Sequence, residues 1–208
     1  MPWHLTKPVA LLICDVQGKF RSSIFAFEHV ARMSKKMVRA AQIFEWPVLA
    51  TEQSVQAFGP TWEPLRHEIQ RTPMHAIQAK TAFSMLDDSI LSSMLKQASQ
   101  KQDAWQEYDY ILCGMESHIC ILQTALDLRK HGCKVHIPHD AISATRAEQT
   151  PLALQTLRDA GVHISSTDSL LYQVLRNTSH PKFGSIMSLM AQEQHHTAQA
   201  LSTLSKIM

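Results

Sequence analysis

This 208-residue sequence predicts an α/β fold, a mostly parallel sheet of about six strands flanked by helices. Three observations carry the prediction. Short, continuous apolar runs recur, beginning with VALLICDV at Val9–Val16; continuous rather than alternating apolarity marks strands covered on both faces. Between them lie segments with apolar residues three and four apart, as over 27–45. The two patterns alternate along the chain, and parallel strands need crossover connections of that kind.

The first strand spans 9–16 and contains a carboxylate, Asp15, close to its end. The helix after it carries Val30, Met33, Met37, Ala40, Ala41 and Phe44 on one face; Lys35, Lys36 and Arg39 read as its solvated face. Pro47 opens a second strand, PVLAT, which leads to Glu52 and Gln53. Gly59, Pro60 and Pro64 predict a loop packed down by Trp62. A weaker strand covers 74–80, and Asp87 or Asp88 caps a helix to about Ser99. Residues 108–113 form a fourth strand, and 117–131 a helix closed by Gly132. Strands over 133–138 and 162–165 bracket a helix over 151–160. From Ser169 a helix, a break at Pro181 and a second helix follow. The whole chain, 1–208, reads as one domain with its core over about 9–190; residues 191–208 are a polar tail, a frayed helix.

Composition narrows the function. An apolar fraction of 45% and a charged fraction of 18% are those of a globular protein. A net charge of +2, without a basic stripe, points away from nucleic acid and from membrane surfaces. No apolar run approaches the ~18–20 residues of a membrane span. The N-terminal segment has neither a secretory apolar core nor the Arg- and Ser-rich pattern of a transit peptide, so the expected compartment is the cytoplasm, with a cryptic mitochondrial address left open. The twelve histidines include His136, His139, His195 and His196, but none has a third ligand nearby in sequence; no metal and no cofactor are expected.

A parallel sheet binds ligands outside the carboxyl ends of its strands. Asp15, Glu52 and Lys80 end the first three strands and Cys120 follows the fourth, so all four belong on one edge. Cys14, Cys113 and Cys133 lie in or beside apolar strand runs and read as small core residues. Cys120 instead sits in the first turn of a helix, where unpaired amides and the dipole favour a thiolate. Lys80 can pair with that thiolate, and Asp15 can take the thiol proton and pass it to a leaving amine. The turn over 114–120 can supply backbone amides to an oxyanion. The alternative is a Cys120 simply buried against the sheet.

Three separated motifs, LLICDVQGKF around Asp15, KTAFSM from Lys80 and CGMESHICILQTALDL around Cys120, resemble the isochorismatase-like cysteine hydrolases over about 9–190. With TEQ at Thr51, GPT at Gly59 and HPKF at His180, the chain is most similar to the eukaryotic isochorismatase domain-containing proteins. The resemblance implies a three-layer, Rossmann-like fold and an Asp15–Lys80–Cys120 triad. It also implies a cis peptide at Met115–Glu116, an oxyanion hole from the Glu116 and Cys120 amides, and a homo-oligomer, with the helix from Ser117 and the segment after Ser169 as contacts. Nicotinamidases of this family carry an Asp-x-His-x-x-His metal site after the second strand, which TEQSVQAFGPTWEP lacks. Isochorismatases proper cleave a vinyl ether without needing the cysteine that is kept here. The implied reaction is therefore cleavage of an amide or carbamoyl C–N bond in a small metabolite through a Cys thioester, without a metal. A second class stays open: a weakly active protein acting mainly as a binding or scaffolding partner, suggested by Glu116 in the oxyanion turn and by the long tail.

Around the triad, Glu52 and Gln53 are expected to orient substrate, unless Glu52 only pairs with a cation and shapes its loop. Phe20 and Phe83 can wall the pocket or serve the core, and His118 belongs at the pocket mouth. Asp140 reads as a structural carboxylate bracing the catalytic edge.

Overall fold

The computed structural model describes residues 5–86 and 107–207. Seven strands form the sheet: β1 (Val9–Cys14), β2 (Val48–Gln53), β3 (His75–Lys80), β4 (Asp109–Met115), β5 (Val135–Pro138), β6 (Ile142–Ser143) and β7 (His163–Ser165). Their order is β3-β2-β1-β4-β5-β7, with β6 pairing the end of β4, and every strand pair is parallel. The strand beyond the expected six is β6, whose two residues are too few to leave a periodic trace. The helix expected from Asp87 or Asp88 lies outside the described residues.

Each face of the sheet has its own core. Leu11 and Ile13 of β1 and Cys113 of β4 point to one side, towards α1 (Phe27–Phe44), α3 (Glu63–Gln70), α6 (Thr167–Leu175) and α7 (Phe183–Leu204). Leu12 and Cys14 of β1 and Leu112 of β4 point to the other, towards α4 (Leu122–Lys130) and α5 (Gln149–Asp159). This is the three-layer arrangement, and it explains why both β1 and β4 are buried along their whole length. A short helix, α2 (Val55–Phe58), leads from β2 towards α3.

Three local expectations change. The loop over 59–64 continues into α3, because Pro64 falls in the first turn, where a missing N–H costs nothing, and Leu65 and Ile69 are buried one turn apart. The tail is not frayed: α7 continues to Leu204 with Thr197, Ala200 and Leu204 buried against the body. The solvated basic face of α1 is only partly solvated. Lys36 is 1% exposed and donates to Thr167 Oγ1 (3.3 Å), Thr197 Oγ1 (2.9 Å) and the Asp168 carboxylate. Arg39 reaches Glu193 at 2.8 Å. Buried Asp140 accepts from the Thr167 amide (2.8 Å) and hydroxyl (2.6 Å), so one polar network fastens α1, α6 and α7 to the end of β5.

On the far side, His136 of β5 stacks on His163 of β7 with centroids 5.0 Å apart. Burial, with His163 and Lys134 adding, pushes His136 from its ordinary 6.5 down to about 3. Below about pH 6.5 the unfolded chain takes up a proton at this position that the folded chain refuses until about pH 3, so stability is lost as pH falls through that window. Urea unfolding between pH 6.5 and 4.5 should show a slope steeper by up to about 1.4 kcal/mol per pH unit in wild type than in His136→Gln. Equal slopes would remove His136 as the source.

Candidate active site

The strand order reverses direction between β1 and β4, and the crevice beyond their carboxyl ends is where a sheet of this kind takes its ligand. Asp15 lies there with φ of +53°, a left-handed backbone that aspartate tolerates better than most residues. Its Oδ1 accepts from Thr51 Oγ1 at 2.8 Å, and its Oδ2 faces Lys80 Nζ at 2.8 Å and Cys14 Sγ at 3.4 Å. Lys80 Nζ also donates to Gln53 Oε1 (2.6 Å) and to the Ala82 and Phe83 carbonyls (3.0 Å each), and stands 3.7 Å from Cys120 Sγ. Asp15, Lys80 and Cys120 are 2%, 4% and 6% exposed, so these charges act on one another with little screening by water. Burial alone would lower the Lys80 pKa; the facing acidic groups Cys14, Asp15 and Cys120 outweigh it and raise it, so the side chain stays an ammonium.

Cys120 lies just past the end of β4, which passes β1 at very close range. Gly114, with φ of +132°, lies opposite Cys14 in the β1–β4 register, and a Cβ there would sit 2.0 Å from the Cys14 carbonyl oxygen. The chain then enters a π-helical turn, Ser117–Ile121, and only afterwards the regular α4. The expected uniform helix over 117–131 therefore begins with a wider turn, in which the Ile121 amide donates to the Glu116 carbonyl at 3.1 Å. Thr124 Oγ1 donates to the Cys120 carbonyl (2.6 Å) and accepts from the Met85 amide (3.0 Å), tying the turn to the segment after β3. The cis peptide expected at Met115–Glu116 is absent: no peptide among the described residues is cis, and the unusual backbone before this turn is the positive φ of Gly114.

The remaining expected residues separate. Gln53 reaches the cluster of Asp15, Lys80 and Cys120, where its partner is Lys80; its Nε2 donates to the Thr81 carbonyl at 2.9 Å. Glu52 does not present itself for substrate. Its Oε1 accepts from the Thr61 amide and hydroxyl (2.7 Å each) and from Arg66 (2.6 Å), which is the loop-shaping alternative. Phe20 stacks on Phe58 at 4.8 Å beside the core. Phe83 is 52% exposed at the bend after β3. His118 Nδ1 lies 3.6 Å from Glu116 Oε2, and the Glu116 carboxylate accepts from the Thr145 amide (3.0 Å) and hydroxyl, which anchors the turn before Cys120 to the segment after β6.

Three residues of the site escaped the sequence reading. Thr51 orients Asp15, and Gln17, fully buried, donates to the Gln53 (3.0 Å) and Gly59 (2.6 Å) carbonyls and accepts from the Gln53 amide (2.8 Å). Cys14 is the third: its sulfur, an Asp15 carboxylate oxygen and the Cys120 sulfur lie within 4.8 Å of one another. Among the described residues this is the one group with metal-ligand chemistry. The Lys80 ammonium, 2.8 Å from Asp15 and 3.7 Å from Cys120, already stands where a cation would balance it. Among the described residues no helix is long and apolar enough to cross a membrane.

The isochorismatase domain matches residues 9–169. Isochorismatase domain-containing protein 2 of Danio rerio is 35% identical over 192 residues, 92% of this chain and 91% of that one. The structure of the MAR1 ribonuclease of Caenorhabditis elegans aligns with a TM-score of 0.79 at 28% identity, covering 89% of this chain and 90% of that one. The YcaC gene product of Escherichia coli, described as an octameric hydrolase of unknown specificity, shares the fold with a TM-score of 0.79 at 14% identity over the whole of both chains. With a family match over most of its length and relatives of this similarity, the chain belongs to the isochorismatase family of hydrolases.

Proposed function

We propose that this protein is a cysteine hydrolase that cleaves an amide or carbamoyl C–N bond of a small metabolite through a Cys120 thioester, with no metal in the reaction. The observation that carries the reading is the buried ammonium of Lys80 held between the Asp15 carboxylate (2.8 Å) and the Cys120 sulfur (3.7 Å). Lys80 stabilises the thiolate; Asp15 takes the thiol proton. The thiolate attacks the substrate carbonyl, and the Glu116 and Cys120 amides receive the charge that develops on its oxygen. The C–N bond breaks as Asp15 returns the proton to the leaving nitrogen. Water, deprotonated by Asp15, then hydrolyses the thioester and frees Cys120. Phe20, Phe83 and His118 border the substrate's approach. Self-association belongs to this reading, supported by the octamer described for the E. coli neighbour and by Tyr172, 51% exposed in the segment after Ser169.

The test is a panel of small primary amides, N-carbamoyl compounds and a short RNA, the last because the nematode neighbour is described as a ribonuclease. Wild type should release ammonia or amine from at least one amide or carbamoyl compound, and Cys120→Ala should lose that turnover by ~10³-fold or more. Turnover that survives Cys120→Ala, or cleavage of RNA alone, would sink the proposal.

A further inference from the structure

The reaction leaves one thiol of the site unused. Cys14 is fully buried at the end of β1, one residue before Asp15, and its side chain points to the same face of the sheet as Cys120. Cys113 points to the opposite face, and Cys133 precedes β5 at the other end of the strands. The two sulfurs lie within 4.8 Å, and Cys14 Sγ is 3.4 Å from Asp15 Oδ2, an acceptor for its proton. Close approach of β4 to β1 at Gly114 holds the Cys120 turn directly over Cys14.

We infer that Cys14 is a resolving thiol and that Cys14–Cys120 is a reversible covalent modification site, closed by peroxide and reopened by a thiol. The chemistry balances in two steps. The Cys120 thiolate attacks hydrogen peroxide, its sulfur is oxidised to the sulfenic acid, and hydroxide leaves. The Cys14 sulfur then attacks the Cys120 sulfur; the S–O bond breaks, and the Cys14 proton, passed through Asp15, leaves with the hydroxyl group as water. Closing the bond needs the sulfurs to move from within 4.8 Å of each other to about 2.05 Å. Burial, hydrogen bonding to Cys120 and the Asp15 charge hold the Cys14 thiol well above its ordinary range, with Lys80 opposing, so Cys14 stays protonated beside the reactive sulfur until the sulfenic acid forms. The disulfide removes the nucleophile, and it also protects it, because a sulfenic acid without a neighbouring thiol goes on to the irreversible sulfinic acid.

The inference rests on Cys120 being the reactive thiolate of the proposed function, and the experiment separates the two. The full chain is treated with hydrogen peroxide under native conditions, unfolded in iodoacetamide and digested. Cys113 and Cys120 share a tryptic peptide, so fragmentation assigns the sulfur. The expected result is a loss of about 2 Da from the intact mass, a Cys14–Cys120 linked peptide and full recovery of both thiols with dithiothreitol. In Cys14→Ala and Cys14→Ser the same dose should give a gain of about 32 Da at Cys120 that dithiothreitol does not reverse. Oxidation of wild-type Cys120 with Cys14 still alkylated, or a link to Cys113 or Cys133, overturns the inference and leaves the nucleophile standing. A Cys120 that neither peroxide nor, in a parallel sample kept native, iodoacetamide consumes overturns both.

Discussion

A Gly114→Ala variant is expected to lose more than about 4 kcal/mol of stability, a large share of the ~5–15 kcal/mol that holds a typical domain folded. Two costs fall on the same position. The φ of +132° is a conformation that L side chains rarely adopt, and the new Cβ would stand 2.0 Å from the Cys14 carbonyl oxygen and 2.8 Å from its carbonyl carbon and amide nitrogen. No side chain can swing aside to relieve this, because the colliding atoms are backbone. Nor can the backbone of Cys14 retreat, since it is held in register between β2 on one side and β4 on the other. The strands must separate where Asp15 and Cys120 meet. Gly18→Ala is the control: a Cβ at Gly18 meets nothing within 4 Å, so its cost should stay within about 1 kcal/mol. Urea denaturation of the two variants measures the difference. A Gly114→Ala protein with a wild-type midpoint would show that β4 does not pass β1 as described.

The contrast between Gly114 and the residues around it shows what a sequence can reveal about such a site. Asp15, Lys80 and Cys120 were legible because each sits at the end of an apolar run or just past it, and a parallel sheet sends every such end to one edge. The burial of β1 and β4 was legible for the same reason. What holds these three residues in place was not. Thr51 can bond Asp15 because it stands opposite Cys14 in the β1–β2 register, and register is a property of two segments together. Gln17 looks like an ordinary polar residue after a strand until Gly59 and Gln53 are brought against it. Whether Glu52 orients substrate or pairs with a cation could not be read, because that cation, Arg66, lies on α3, a helix hidden behind the proline in its first turn. The end of α7 looked solvated because it buries only a threonine, an alanine and one leucine among many polar residues, and its burial is joined to Lys36 of α1, which needs partners inside the protein. Apolar periodicity finds faces that bury hydrocarbon; it is blind to faces that bury hydrogen bonds.

The same distinction governs the second large effect, Lys80→Met. Two consequences are expected, and they have different causes. The Lys80 side chain is fully buried, and removing its charge leaves Asp15, 2% exposed, without its cation; breaking one side of a buried pair costs about 3–5 kcal/mol. Cys120 loses its neighbour as well, so its alkylation by iodoacetamide at neutral pH should slow by roughly tenfold or more. The losses are separable through a second substitution. In Lys80→Met with Asp15→Asn the buried charge is gone, and much of the stability should return, since replacing both members of a buried pair is far less costly than removing one. Reactivity at Cys120 should not return, because neither replacement can stabilise a thiolate or take its proton. The other thiols give the internal reference: burial holds Cys14 and Cys113 well above the ordinary range and Cys133 at about 11, so in wild type Cys120 should be alkylated first. Site-resolved alkylation rates and urea midpoints of the three proteins are sufficient. If the double variant regained both stability and Cys120 reactivity, Lys80 and Asp15 would be a structural pair beside the cysteine, and the hydrolase reading would lose its mechanism. If stability returns alone, the pair's charges serve the sulfur.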